Sequence, residues 1–198
     1  MVDDTLSKLN KIKKEALDEE VPIVKDETAA FLRDFVLKNN VKNILEIGTA
    51  VGYSALVMAS SFNGVKVTSI EYDEERYLKA VQNIKDMNME KNITLIFGDA
   101  QFVNLTEKYD MIFIDAAKSK NKLFFEKFKH YLNEGGCIIT DNMYFHGYVN
   151  KDLDEIESKN LKGLVKKIKE YHEFLKANED FDTRILEIGD GIAISVMK

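Results

Sequence analysis

The sequence predicts an α/β fold: a mostly parallel seven-stranded sheet ending in an antiparallel C-terminal hairpin, with helices on both faces. Three observations predict it. From Asn43 onward, short apolar runs rich in β-branched residues alternate with helical stretches, the rhythm of βαβ units. The last third breaks that rhythm with one long amphipathic stretch and two alternating runs joined across Gly189-Asp190-Gly191, where Asp-Gly is a hairpin signal. One proline and ten glycines in 198 residues leave little room for a flexible linker or a many-turned all-β fold. At this length one domain over residues 1–198 is expected, with N-terminal helices over 1–40 and a sheet-and-helix core over 43–198.

Each element has its own reason. The first twenty residues place Leu6, Leu9, Ile12, Ala16 and Leu17 at helical spacing, and Pro22 interrupts the pattern. A second helix is expected from about Asp26 to Asn39, with Ala30, Phe31, Phe35 and Val36 on its apolar side. Ile44–Ile47, Val65–Ile70, Ile93–Phe97, Met111–Ile114 and Cys137–Thr140 read as strands. Helices fall near Gly52–Ser61, Asp73–Asn88 and Lys120–Leu132; the second has Asp73 as N-cap and Tyr77, Ala80, Val81 and Ile84 on its apolar face. A long helix from about Ser158 to Ala177 then precedes strands Thr183–Ile188 and Ile192–Met197. Ile-Leu-Glu-Ile-Gly occurs at 44–48 and again at 185–189; the second copy leads into a turn and reads as structural.

Composition excludes several classes. The longest apolar runs are strand-sized, so no segment spans a bilayer, and the N-terminus has no basic region followed by an apolar one, so it is not a secretory signal. The expected compartment is the cytoplasm. A lone cysteine, Cys137, can form neither an internal disulfide nor a thiolate zinc site, and it reads as a small buried hydrophobe. The net charge of −6 argues against tight non-specific nucleic-acid binding. With only Arg33, Arg76 and Arg184 as arginines, any local basic face must be built from lysine.

The strand ends carry the chemistry. Read to their carboxyl ends, the five parallel strands finish at Glu46, Glu71, Asp99, Asp115 and Asp141. In a parallel sheet these ends share one edge, where ligands bind. Acids gathered there call for a cation, a positively charged ligand or hydrogen-bond donors. The first turn, Glu46-Ile47-Gly48-Thr49-Ala50-Val51-Gly52-Tyr53-Ser54, lacks the middle glycine of a dinucleotide fingerprint. Less clearance and a leading acid suit S-adenosylmethionine, a nucleoside without a pyrophosphate and with an ammonium group, better than NAD. Glu71 suits ribose hydroxyls, and Gly98-Asp99-Ala100 would flank the adenine.

Asp115 and the pair Asp141-Asn142 offer three hard oxygen ligands, which suit Mg²⁺, or alternatively Mn²⁺ or Ca²⁺. Lys118, three residues beyond Asp115, is the candidate general base. His146 reads as a surface-loop residue, and His130 and His172 as solvent-facing on helices.

The chain resembles the class I S-adenosylmethionine-dependent methyltransferases of the cation-dependent, catechol-type O-methyltransferase family, which have a Rossmann-like fold. The resemblance rests on ILEIGTAVGYSA at 44–55, TSIEYD at 68–73, FGDA at 97–100, IFIDAAKSK at 112–120 and IITDNMYFHGYV at 138–149. VPIV at 21–24, LVKKIKEYHEFL at 164–175 and GDGIAIS at 189–195 are most similar to the bacterial tRNA 5-hydroxyuridine methyltransferases within it. The resemblance implies cofactor contacts at Val24 (backbone), Glu46, Gly48, Ser54, Glu71, Asp99, Ala100 and Asp115. It also implies metal ligation by Asp115, Asp141 and Asn142, with Lys118 and Asp115 as catalytic residues. The chain departs from its relatives at Lys118-Ser119-Lys120, where they usually have Lys-Gly-Gln, and in a shorter segment before Pro22.

The expected reaction is Mg²⁺-dependent methylation of a hydroxyl oxygen, with 5-hydroxyuridine at the tRNA wobble position as acceptor, giving 5-methoxyuridine. A small catechol or caffeoyl-type phenol is the alternative; an NAD-dependent oxidoreductase and a non-catalytic nucleotide-binding module are weaker rivals. For tRNA, the candidate phosphate contacts are Lys118, Lys120, Lys122, Lys127 and Lys129, or Lys162, Lys166, Lys167 and Lys169. A homodimer is expected, with the N-terminal helix as candidate contact.

Overall fold

The computed structural model describes residues 2–198, and Met1 lies outside the described residues. The chain forms two compact units, one running to Leu105 and the other covering Thr106–Lys198. All seven expected strands are present.

The first unit holds α1 (Val2–Asp18), α2 (Asp26–Lys38), β1 (Asn43–Ile47), α3 (Tyr53–Ala59), β2 (Lys66–Glu71), α4 (Glu74–Asp86) and β3 (Ile93–Phe97). Its strands run parallel in the order β3-β2-β1, with Leu45 opposite Thr68 and Ser69 opposite Leu95. Ile44, Leu45 and Ile47 are fully buried, the continuous apolar run of a parallel strand covered on both sides. Helices α3 and α4 lie against β2 and β3, while α1 and α2 pack on α3.

Two helix faces differ from those expected. In α2 the buried stripe is Thr28, Ala29, Leu32 and Val36, while Ala30 is exposed and Phe31 and Phe35 lean on each other at 5.6 Å. In α4 the stripe is Ala80, Asn83 and Ile84, continued by Met87 at the C-cap in the i, i+3, i+4, i+7 pattern, and Val81 falls outside it and is exposed. Asp73 caps α4 as expected, accepting the Arg76 N–H at 3.0 Å. In α1, Leu9, Ile12 and Ala16 are buried, but Leu6 and Leu17 face solvent.

The second unit contains β4 (Tyr109–Ile114), α5 (Asn121–Phe128), β5 (Leu132–Thr140), α6 (Lys159–Lys176), β6 (Phe181–Leu186) and β7 (Ile192–Met197). A single 3₁₀ turn, Lys118–Lys120, precedes α5. The strand order is β4-β5-β7-β6: β4 and β5 are parallel, and β7 is antiparallel to both β5 and β6. Strand β5 begins five residues before the expected Cys137, because its pairing with β4 shifts register between Tyr109 and Met111. Gly136 sits at that irregularity; a Cβ there would lie 2.9 Å from the Asn133 carbonyl oxygen. Phe113, Phe125 and Phe128 are fully buried, with Phe125 edge-on to Tyr171, Phe174 and Phe181.

Cys137 is buried, and loss of water pushes its thiol up to about 12, as suits an inert core residue. His130 is exposed. His172, expected to face solvent, is instead half-buried: its Nε2 lies 2.8 Å from the Met143 carbonyl oxygen. Burial holds its pKa below the usual histidine value. No described helix is long and apolar enough to cross a membrane.

Candidate active site

In the first unit, β1 runs into the turn Gly48–Gly52, which opens α3. Gly48, Ala50 and Gly52 have φ of 97°, 48° and 83°. Ala50 thus takes the left-handed conformation that glycine ordinarily supplies, at the position where a dinucleotide fingerprint has its middle glycine. Gly52 is required for closeness as well as for φ, since its Cβ would stand 3.3 Å from the Ala80 Cβ of α4.

The turn is tied down from three sides. Glu71, 4% exposed at the end of β2, accepts the Ala50 N–H at 2.8 Å through Oε2 and the Tyr72 and Asp73 N–H groups at 2.9 Å through Oε1. Asn83 of α4 donates to the Val51 carbonyl at 2.9 Å. Below the turn Glu46, wholly buried, accepts the Ser54 hydroxyl at 2.6 Å and the Ser69 hydroxyl. Ser69 also meets the Thr49 hydroxyl at 2.5 Å. Glu46 and Ser54 therefore bond to each other, and Glu46 holds the two ends of the turn together. Asp99, just past β3, accepts the Gln101 N–H at 2.8 Å, with Ala100 buried beside it. Val24 is buried in the segment between α1 and α2. Of the other first-unit residues expected to meet the cofactor, Glu46, Ser54, Glu71 and Ala100 are buried and Asp99 is half-buried past β3.

In the second unit, Asp115 follows β4 and Asp141-Asn142 follows β5, strands that are direct neighbours. Lys118 places its Nζ 2.5 Å from Asp115 Oδ1, and both side chains are largely buried. Asp141 is 2% exposed and accepts the Asn142 N–H at 2.7 Å. Its carboxyl is pushed up to about 7, first by loss of water and then by the charge of Asp115, with Lys118 opposing. Asn142 has φ 61°, a left-handed conformation that asparagine tolerates. Asp115, Lys118 and Asp141 thus act on one another, and Asn142 follows Asp141 in the chain. Among the described residues, no group of three or more His, Cys, Asp or Glu side chains forms a metal cage.

Sequence reasoning missed Asp190. The turn of the C-terminal hairpin directs this acid inward, 5% exposed, where it accepts the His146 N–H at 2.8 Å and adds its charge to Asp141. The Met143 N–H reaches the Gly191 carbonyl at 2.9 Å and the Tyr144 N–H the Asp190 carbonyl at 2.8 Å, so the turn holds the loop that follows Asn142. The Gly-Asp-Gly triplet was the available signal, but it reads equally well as a plain turn. His146 is in an exposed loop, as expected. Asn83 and Ser69 gave no sequence signal.

Strand ends bearing acids, a tight turn opening α3 and a C-terminal antiparallel pair define a Rossmann-like S-adenosylmethionine-dependent methyltransferase. The family model for O-methyltransferases matches residues 2–198. Catechol O-methyltransferase of Niastella koreensis is 32% identical over 79% of this chain and 74% of its own length. Caffeoyl-CoA O-methyltransferase of Stellaria longipes is 30% identical over 83% and 72%. A solved structure from Staphylococcus aureus, named provisionally as a caffeoyl-CoA O-methyltransferase, superposes with a TM-score of 0.91 at 40% identity, covering 96% of this chain and 92% of that one. A Bacillus cereus O-methyltransferase in complex with SAH superposes with a TM-score of 0.83 at 28% identity, covering 97% and 91%. The chain belongs to the O-methyltransferase family and is an S-adenosylmethionine-dependent O-methyltransferase.

Proposed function

We propose that this chain methylates one hydroxyl of a catechol- or caffeoyl-type phenol, with Asp115, Asp141 and Asn142 holding a divalent cation, Mg²⁺ in the simplest case. The observation that carries the proposal is buried Asp141 beside Asp115, with Lys118 in reach. Two like charges, one shut off from water, are relieved by a cation, and two carboxylates with an amide carbonyl are the hard oxygen donors a divalent ion prefers. When bound, such an ion supplies Lewis-acid charge that favours the ionised form of a chelated hydroxyl.

This chain's own residues do the rest. Lys118, anchored at Asp115, takes the hydroxyl proton in its neutral amine form, and the ammonium so formed stabilises the oxyanion. Glu71, Glu46 and Asn83 keep the Gly48–Gly52 turn in shape for the nucleoside of S-adenosylmethionine. The substrate oxygen forms the new O–CH₃ bond as the S–CH₃ bond breaks, leaving S-adenosylhomocysteine and a proton. Most of the acceleration then comes from positioning.

A 5-hydroxyuridine in tRNA would offer the same chelating pair, its O5 hydroxyl and O4 carbonyl. The names carried by the relatives favour the phenol. The test supplies labelled S-adenosylmethionine with a catechol, caffeoyl-CoA and tRNA bearing 5-hydroxyuridine, in Mg²⁺ and in EDTA. Phenol methylation that EDTA abolishes is expected. Methylation of the tRNA alone would replace the phenol, and full activity in EDTA would remove the cation.

A further inference from the structure

We infer that Asp190 is a positioning residue for the divalent cation, matching the charge of the site to a 2+ ion without coordinating it. The inference rests on the reading that Asp115, Asp141 and Asn142 hold such an ion, and every residue it uses lies in the second unit. The hairpin turn carries Asp190 to the end of β5. Thr140 of β5 stands opposite Ala193 of β7, and the Met143 N–H meets the Gly191 carbonyl at 2.9 Å, so these two pairings bracket Asp141-Asn142. Both Asp190 carboxylate oxygens accept the His146 N–H, at 2.8 and 3.0 Å, and the Asp190 carbonyl accepts the Tyr144 N–H at 2.8 Å. Phe145 and His146 have φ of 44° and 54°, left-handed values that bulky residues seldom adopt. The loop after Asn142 is thus pinned on a carboxylate that is itself buried.

Charge gives this placement its purpose. A buried carboxylate is ordinarily paired with a cation. Among the described residues no lysine or arginine stands at ion-pair distance from Asp190. Its one basic neighbour is His146 Nδ1 at 3.7 Å, on a side chain 65% exposed, where water weakens the pairing. The charge of Asp190 reaches Asp141 instead, which is also buried and already bears the charge of Asp115. Against these three carboxylates stands the single ammonium of Lys118, 2.5 Å from Asp115. With all four ionised the group is two positive charges short, which is the charge of a divalent ion. Asp190 is engaged with a backbone N–H, and among the described residues the acids form no cage of three, so Asp190 acts through space. An outer carboxylate of this kind raises the affinity for the ion and steadies the loop that follows its ligands.

Asp190→Asn isolates the charge, because its amide oxygen still accepts the His146 N–H. The full chain is stripped with EDTA, returned to about 0.15 M KCl to screen exposed charges, and titrated by calorimetry. The titrants are Ca²⁺ and Tb³⁺, ions of similar size and different charge. Coulomb energy scales with the charge of the ion, so a loss of about ten-fold in Ca²⁺ affinity goes with about thirty-fold for Tb³⁺. That pair of losses is the expected result. Gly191→Ala disturbs the same turn without changing its charge and should weaken both ions by one common factor. An Asp190→Asn variant that binds both ions as wild type does, or loses both equally, overturns the inference and leaves the cation reading standing. A wild-type chain that binds neither ion overturns both. Should Asp190→Asn fail to fold, Asp190→Ser, whose hydroxyl oxygen can accept the same N–H, is read by the same two titrations.

Discussion

Asp141 at the end of β5 keeps its proton up to about pH 7 because it is shut off from water and because Asp115 stands beside it at the end of β4. An ordinary aspartate titrates at 3.8, so between these two values the folded chain binds more protons at this site than the unfolded chain. Stability of the metal-free protein should therefore fall as pH rises from about 4 to about 7 and level off above that. Asp141→Asn removes the titrating group. In EDTA at pH 8 it should melt above wild type, while gaining nothing from added Mg²⁺ and losing methylation at least 100-fold. Thermal unfolding across pH, with and without the ion, checks both signs. A variant that melts below wild type in EDTA at pH 8 would show that the pairing is not a source of strain.

Lys118 is the next residue to test, because it pairs with Asp115 at 2.5 Å and is the proposed general base. Lys118→Met retains much of the apolar stem and removes the charge. The expected loss is about 10²- to 10⁴-fold in kcat, the range for removal of a positioned acid or base. S-adenosylmethionine affinity, measured by calorimetry, should stay within about two-fold, because the Gly48–Gly52 turn is held by other residues.

Glu71 makes the opposite prediction. Its carboxylate gathers three backbone N–H groups, one of them on Ala50 in a left-handed conformation. Glu71→Ala strands these donors, each charge-assisted bond contributing about 1.5–3 kcal/mol. The Kd for S-adenosylmethionine should rise at least ten-fold and the melting temperature should fall. With saturating cofactor, kcat should recover to within a few-fold of wild type, which would separate Glu71 from Lys118.

The acids of the strand ends also show what was legible in the sequence. Glu71, Asp115 and Asp141 could be found because each closes an apolar strand, and strand ends are visible as a change of residue type. Their partners were not. Glu71 reaches Ala50 across 21 residues and Glu46 reaches Ser69 across 23, separations with no periodicity to mark them. Asn83 hides its role inside an amphipathic helix, where a polar residue predicts exposure. Strands β3 and β7 match at both ends, whereas Leu132, expected to end a helix, and Asn133-Glu134-Gly135-Gly136, left between that helix and the strand at Cys137, form the bulged start of β5. His172 was misplaced because its partner, the Met143 carbonyl, lies 29 residues away in a loop.

The hairpin turn provides the last prediction, through two glycines that look alike in sequence. Gly191 has φ 87°, and a Cβ there would stand 2.7 Å from the Tyr144 ring and 3.0 Å from the Tyr144 backbone nitrogen. Gly163 lies within α6 with an ordinary φ and nothing within 4 Å of the Cβ position. Gly191→Ala must therefore move the loop that Asp190 and Gly191 hold just after Asn142, at a cost of about 1–3 kcal/mol. Mg²⁺ should bind it more weakly, with cofactor affinity unchanged. Gly163→Ala should instead stabilise the chain by about 1 kcal/mol through helix propensity, raising the melting temperature by about 2–4 °C with no change in kcat. Unfolding curves of the two variants, recorded with and without Mg²⁺, would refute this account of the turn if Gly191→Ala kept wild-type stability and ion affinity.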